Sequence, residues 1–133
     1  MTSLAVVVFR DSKYPGLRWL KAGWRHCFVA VTTPGGWVAL DPLLHWTQIH
    51  WLPVPADMTP DEIAAAYMHD GATAAAIVEI VEPPRRWRLP PMPLTCVEAV
   101  KRVIGVQSHR IWTPWQLFRH LARLPALDVT HRS

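Results

Sequence analysis

Trp24-Arg25-His26-Cys27-Phe28-Val29-Ala30-Val31-Thr32-Thr33-Pro34-Gly35-Gly36-Trp37-Val38-Ala39-Leu40-Asp41-Pro42 is the stretch that decides the fold. Two runs rich in β-branched and aromatic residues flank a Thr-Thr-Pro-Gly-Gly break, the pattern of two strands joined by a tight turn. The spacing predicts strands over 24–31 and 37–41, paired as a hairpin. A sheet that begins with a hairpin begins antiparallel.

Working outward, Leu4-Ala5-Val6-Val7-Val8-Phe9 is short, continuous and apolar, as a strand buried on both faces should be. Residues 47–52 alternate Thr, Ile and Trp with polar residues and read as a further short strand. Thr59-Pro60-Asp61-Glu62 then places Thr at an N-cap, Pro at the first helical position and Glu at the third, a capping box that opens a helix over 60–69 ending near Gly71. Residues 74–81 read as a strand. Residues 82–93 form an extended loop with five prolines (Pro83, Pro84, Pro90, Pro91, Pro93) and three arginines (Arg85, Arg86, Arg88). The same helix-start device recurs at Thr95-Cys96-Val97-Glu98, opening a helix over 96–104 closed by Gly105. It recurs again at Thr113-Pro114-Trp115-Gln116, opening a helix over 114–123. The tail 124–133 has little pattern and is expected to fray or to pack on a neighbour. The order β-β-β-β-α-β-α-α predicts an α+β domain with an antiparallel sheet.

The 133 residues suit one domain spanning 1–133. Half are hydrophobic and 18% charged, which excludes intrinsic disorder. The net charge of +4 comes from eleven Arg against three Lys. A weakly basic surface suits an anionic partner, but no nucleic-acid-binding motif accompanies it, so nucleic acid is not expected as a partner. The longest apolar run near the N-terminus, 4–9, has no basic flank or small-residue cleavage site, and no run approaches the ~18 residues that span a bilayer. The expectation is synthesis in the cytoplasm without a signal peptide, and no membrane. Two cysteines make neither a disulfide framework nor a zinc ligand set, so neither metal nor cofactor is expected.

Cys96 is the most informative residue. At the first position of a helix, its thiolate would be stabilised by the helix dipole, and the free N–H groups there could hold an oxyanion. The same position also suits a small apolar side chain. A cysteine nucleophile needs a base, usually His, and the base needs an orienting acceptor. His26 opens the strand before the turn and Asp41 ends the strand after it. A turn over 32–35 or 32–36 sets the two opposite each other to within one residue. Taken alone, His26 can equally be a satisfied strand-end histidine and Asp41 a turn-initiating residue before Pro42. His45, four residues past Asp41, is an alternative third residue. Cys27 alternates to the face opposite His26 and reads as core. The chain contains no Asn, so the third member of such a set must be Asp or His.

Residues 95–105, Thr-Cys-Val-Glu-Ala-Val-Lys-Arg-Val-Ile-Gly, followed by Thr113-Pro114-Trp115-Gln116-Leu117-Phe118, resemble the cysteine helix and next helix of NlpC/P60-like, papain-fold proteins. Residues 25–31 with 36–42 resemble their histidine hairpin. The resemblance covers roughly 20–50 and 93–122. His and Asp precede Cys here, the order of the circularly permuted branch, which also holds lecithin:retinol acyltransferase-like proteins; small proteins of this look are common in phages. The resemblance implies a papain-like antiparallel sheet packed against the cysteine helix and its neighbours. It also implies Cys96 as nucleophile, His26 as base and Asp41 as orienting residue. The implied activity is a thiol hydrolase on an amide of bacterial cell-wall peptide, acting as a phage-tail component of the virion beside other tail proteins. One departure stands out: proline and arginine, not an oxyanion-donating side chain, precede Cys96. The backbone N–H of Cys96 would serve, with Arg25 or Trp24 as helpers.

Two rivals follow. An acyltransferase or thioesterase of the same branch would carry an apolar groove lined by Trp24, Trp37 and Trp46. A structural or docking component of a tail tip would use the Pro/Arg loop and the eight tryptophans as contacts.

Overall fold

The computed structural model describes residues 3–13, 17, 19–43, 47–80, 96–106, 108, 110–124 and 129–131. Nine elements appear among them: β1 (Leu4–Arg10), β2 (His26–Thr33), β3 (Gly36–Pro42), β4 (Thr47–Trp51), α1 (Pro60–His69), β5 (Ala74–Glu79), α2 (Cys96–Ile104), α3 (Pro114–Ala122) and β6 (Val129–His131). The fold is α+β. Five main strands and a three-residue sixth form one antiparallel sheet in the order β4-β3-β2-β1-β5-β6.

β1 lies inside the sheet, paired with β2 on one side and β5 on the other. Ala5 to Phe9 are all fully buried, which is why the segment is continuously apolar rather than alternating. Its odd-numbered residues and its even-numbered residues face two separate cores, since successive side chains on a strand point to opposite faces. Ala5, Val7 and Phe9 join Cys27, Val29, Ala74, Ala76 and Val78 beneath α2 and α3, which contribute Val97, Val100, Ile104, Leu117, Phe118 and Leu121. Val6 and Val8 join Phe28, Ala30, Trp37 and Ile77 against α1, through Ile63 and Ala64.

The hairpin forms, with its first strand shifted two residues toward the turn and its second extended at both ends relative to the sequence spacing. Thr33 pairs with Gly36, leaving a two-residue loop of Pro34 and Gly35. Gly36 sits at φ +133°, a conformation an L side chain rarely adopts, and Thr33 Oγ1 donates to the Gly36 carbonyl at 2.8 Å.

Thr caps open α1 and α3 as expected, and only α3 carries the full capping box among the described residues. Thr59 accepts from the Glu62 N–H at 3.2 Å. In α3 the box is complete: Thr113 Oγ1 accepts from the Gln116 N–H, and Gln116 Oε1 accepts from the Thr113 N–H at 3.1 Å. Thr95, His45, Trp46 and the Pro/Arg loop 82–93 lie outside the described residues. The tail does not simply fray: Val129, Thr130 and His131 pair with Ala76, Ala75 and Ala74 and extend the sheet beyond β5.

Candidate active site

The cysteine helix α2 packs on β2 and β3, the two strands of the hairpin. Its strongly one-sided apolar face, Val97, Val100 and Ile104, is drawn onto the sheet. A buried ion pair fixes the opposite flank. Lys101, 2% exposed, donates to Glu98 Oε2 at 3.0 Å, to the Ile111 carbonyl at 3.2 Å and to the Ser108 carbonyl. Arg102 Nε reaches Glu98 Oε1 at 3.3 Å. These bonds tie α2 to the segment leading into α3. Cys96, half-buried, is thereby held at the start of α2 over the beginning of β2.

His26 and Asp41 meet. His26 Nε2 and Asp41 Oδ1 are 2.6 Å apart, and both side chains are largely buried. The register differs from the sequence expectation. Val29 pairs with Leu40, so continuing the ladder sets Asp41 beside Phe28, two positions from His26 rather than within one. The two still share a face, because an offset of two preserves parity, and a diagonal of roughly 7–8 Å between strands is within reach of long side chains. Phe28 lies under this pair, with its ring centroid 6.3 Å from that of His26. Tyr67 of α1 closes the far side of Phe28 at 5.1 Å, edge on.

Cys96 completes the group. The His26 imidazole, whose Nε2 is committed to Asp41, also interacts with the Cys96 thiol. The electrostatics favour a charge-separated pair. Burial pushes the His26 imidazolium down, but the hydrogen bonds to Asp41 and Cys96 and their charges outweigh it and raise the pKa to about 9. For Cys96 the largest influence is a hydrogen bond from the Cys27 thiol. Burial opposes it, while the hydrogen bond and charge of His26 and the Cys27 backbone N–H assist, and the thiol falls to about 5. Between those values the site holds a thiolate beside an imidazolium.

Cys27 is the participant that sequence reasoning missed. Strand alternation correctly sets it on the helix-facing core side, fully buried. Yet Cys96, over the beginning of β2, interacts with both neighbours, His26 and Cys27. Burial, together with the Cys96 thiolate alongside, pushes the Cys27 thiol well above its ordinary range, so it stays protonated and donates. Its adjacency to His26 and its being the other of only two cysteines were the available signals.

Other expectations are corrected. Trp24 is a core side chain against Phe9, Trp115 and Phe118. Trp37 is 1% exposed on the α1 side, its indole N–H donating to the Met58 carbonyl at 2.8 Å. Both are buried core side chains rather than surface ones. Arg25 turns toward Asp11, with Nη1–Oδ1 at 3.0 Å. His50 and His69 are exposed. Among the described residues no cluster of His, Cys, Asp or Glu could hold a metal ion, and no helix is long and apolar enough to cross a membrane.

Compared with known proteins, the chain matches no family model, no curated protein and no solved structure.

Proposed function

We propose that this protein is a cysteine hydrolase that cleaves an amide bond, with Cys96 as nucleophile, His26 as base and acid, and Asp41 as the residue that orients His26. The observation that carries the reading is the hydrogen-bonded chain Asp41–His26–Cys96 at the N-terminus of a helix. The Cys96 thiolate attacks the substrate carbonyl, and the first-turn N–H groups of α2 receive the developing oxyanion. His26 protonates the leaving amine through Nδ1 while Asp41 keeps Nε2 occupied and the ring aligned. Water, deprotonated by the now neutral His26, then releases the acyl group from Cys96.

The resemblance to permuted NlpC/P60-like, papain-fold proteins supports a peptide of the bacterial cell wall as substrate and a phage tail as the setting. The net charge of +4 suits that anionic polymer. A place within a larger assembly is the second reading: Trp19, Trp51 and Trp112 are 74%, 63% and 53% exposed, and tryptophan is a side chain that contact surfaces favour.

The test is turnover of peptidoglycan fragments by wild type and by Cys96→Ala. Loss on the order of 10⁴-fold or more is expected, as for removal of a nucleophile that acts with its base as a unit. Unchanged turnover removes Cys96 from the chemistry.

A further inference from the structure

The mechanism makes no chemical use of the second cysteine. The chain has two cysteines, far apart in sequence, and both are free thiols. The fold nevertheless brings them together: α2 packs on β2, Cys96 packs against the core cluster that holds Cys27, and each thiol perturbs the other. Cys27 projects from β2 toward α2, and Cys96 opens α2 and packs against the same core cluster. Cys27 is fully buried, whereas Cys96 is partly exposed. A solution oxidant can therefore reach only Cys96 directly, and a thiolate in an electropositive, accessible site is the form oxidants attack.

We propose that Cys27 is the resolving thiol of Cys96, so that oxidation of the nucleophile ends in a Cys27–Cys96 disulfide that switches the site off reversibly. The oxidant class is a peroxide. The Cys96 thiolate attacks one peroxide oxygen, the O–O bond breaks, and hydroxide leaves and takes up a proton as water. Sulfur has lost two electrons and become a sulfenic acid, and the peroxide has gained them. Cys27 sulfur then attacks the Cys96 sulfur, the S–O bond breaks, and the departing hydroxyl leaves as water with the Cys27 proton. A dithiol reductant returns two electrons and two protons and is itself converted to a disulfide. While the bridge stands, Cys96 has no thiolate to offer a substrate. The bridge also stops the nucleophile short of the sulfinic and sulfonic acids, which ordinary thiols do not reverse.

The inference rests on Cys96 being an activated thiol, but its readout is thiol chemistry and not turnover. The intact protein is treated with one equivalent of hydrogen peroxide at pH 7, then examined by intact mass, by thiol counting after denaturation and by peptide mapping. The expected result is a mass lower by two hydrogens, joint loss of both thiols, a 27–96 cross-linked peptide and full recovery with dithiothreitol. Cys27→Ala and Cys27→Val should instead accumulate oxygen adducts on Cys96 that dithiothreitol no longer fully reverses. A wild type that gains two or three oxygens on Cys96 with the Cys27 thiol intact, or that only forms a covalent dimer, overturns the inference whether or not the variants fold. If the disulfide forms but no amide is turned over, the switch stands and the hydrolase reading falls. If amides are turned over and only oxygen adducts form, the reverse holds.

Discussion

At the scale of single residues, the site is defined by how three side chains share charge. A cysteine at about 5 and a histidine at about 9 hold the active ionic form across the neutral range. In the proposed mechanism, protonation of the thiolate below about 5 removes the nucleophile. In the same mechanism, loss of the imidazolium proton above about 9 removes the acid for the leaving amine. The profile of kcat/KM against pH should therefore be a bell with limbs near those two values, which belong to the coupled pair rather than to either residue alone. Asp41→Asn removes the carboxylate charge that raises His26, so the alkaline limb should move down toward the ordinary histidine range of about 6.5. Iodoacetamide alkylation followed across pH offers a check free of substrate. A single inflection near the ordinary cysteine value, unchanged by Asp41→Asn, would dismiss the ion pair. Cys96, His26 and Asp41 were legible because each sits beside a local signal: a helix start, a strand start and a strand end before proline. The two-residue offset between His26 and Asp41 was not, because it depends on whether the turn consumes two residues or more, and Thr-Thr-Pro-Gly-Gly permits several. Cys27 escaped because alternation describes strand faces, whereas Cys96 stands over the beginning of β2, where both faces are within reach.

At the scale of elements, Cys96 is only as well placed as α2. A nine-residue helix is marginal by itself, and its position comes from apolar packing on β2 and from Lys101. That side chain is buried with Glu98 and also binds the carbonyls of Ser108 and Ile111. Lys101→Met should cost about 3 kcal/mol, the lower end for breaking a buried ion pair, since Arg102 still faces Glu98. Urea unfolding would measure it, and a loss below about 0.5 kcal/mol, the range of ordinary surface substitutions, would show that the pair does not hold the helix. Helix boundaries were the most legible feature of the sequence, because Thr-Pro and Thr-Pro-x-Gln starts fix backbone dihedrals and satisfy N–H groups locally. The strand β6 was illegible for the opposite reason. Val129-Thr130-His131 carries no pattern of its own and becomes a strand only because β5 offers an unpaired edge. The pairing of β1 with β5 is likewise set by long-range closure around α1, not by either segment alone.

At the scale of the whole molecule, the sheet divides the interior into two cores that share the strands β1, β2 and β5. The tryptophan excess resolves along this division. Trp24 fills the α2–α3 side, Trp37 fills the α1 side, and Trp19, Trp51 and Trp112 remain at the surface. Composition could show that tryptophan was abundant but not which residues were core and which were contact surface, since that depends on which faces the helices cover. Only the α2–α3 core supports the cysteine directly, but β1 is common to both, with Val7 facing one side and Val8 the other. The two cores should therefore unfold together. Leu117→Ala on one side and Ile63→Ala on the other, both at nearly fully buried positions, should each lower stability by about 2–5 kcal/mol through lost burial and a residual cavity. Each should also leave a single cooperative transition, as expected for a domain of this size. Calorimetry tests this directly. If Ile63→Ala split the thermal transition in two, with the α1 side melting ahead of the α2–α3 side, the sheet would not be the mechanical link between the cores, and the cysteine site would owe its stability to one side alone.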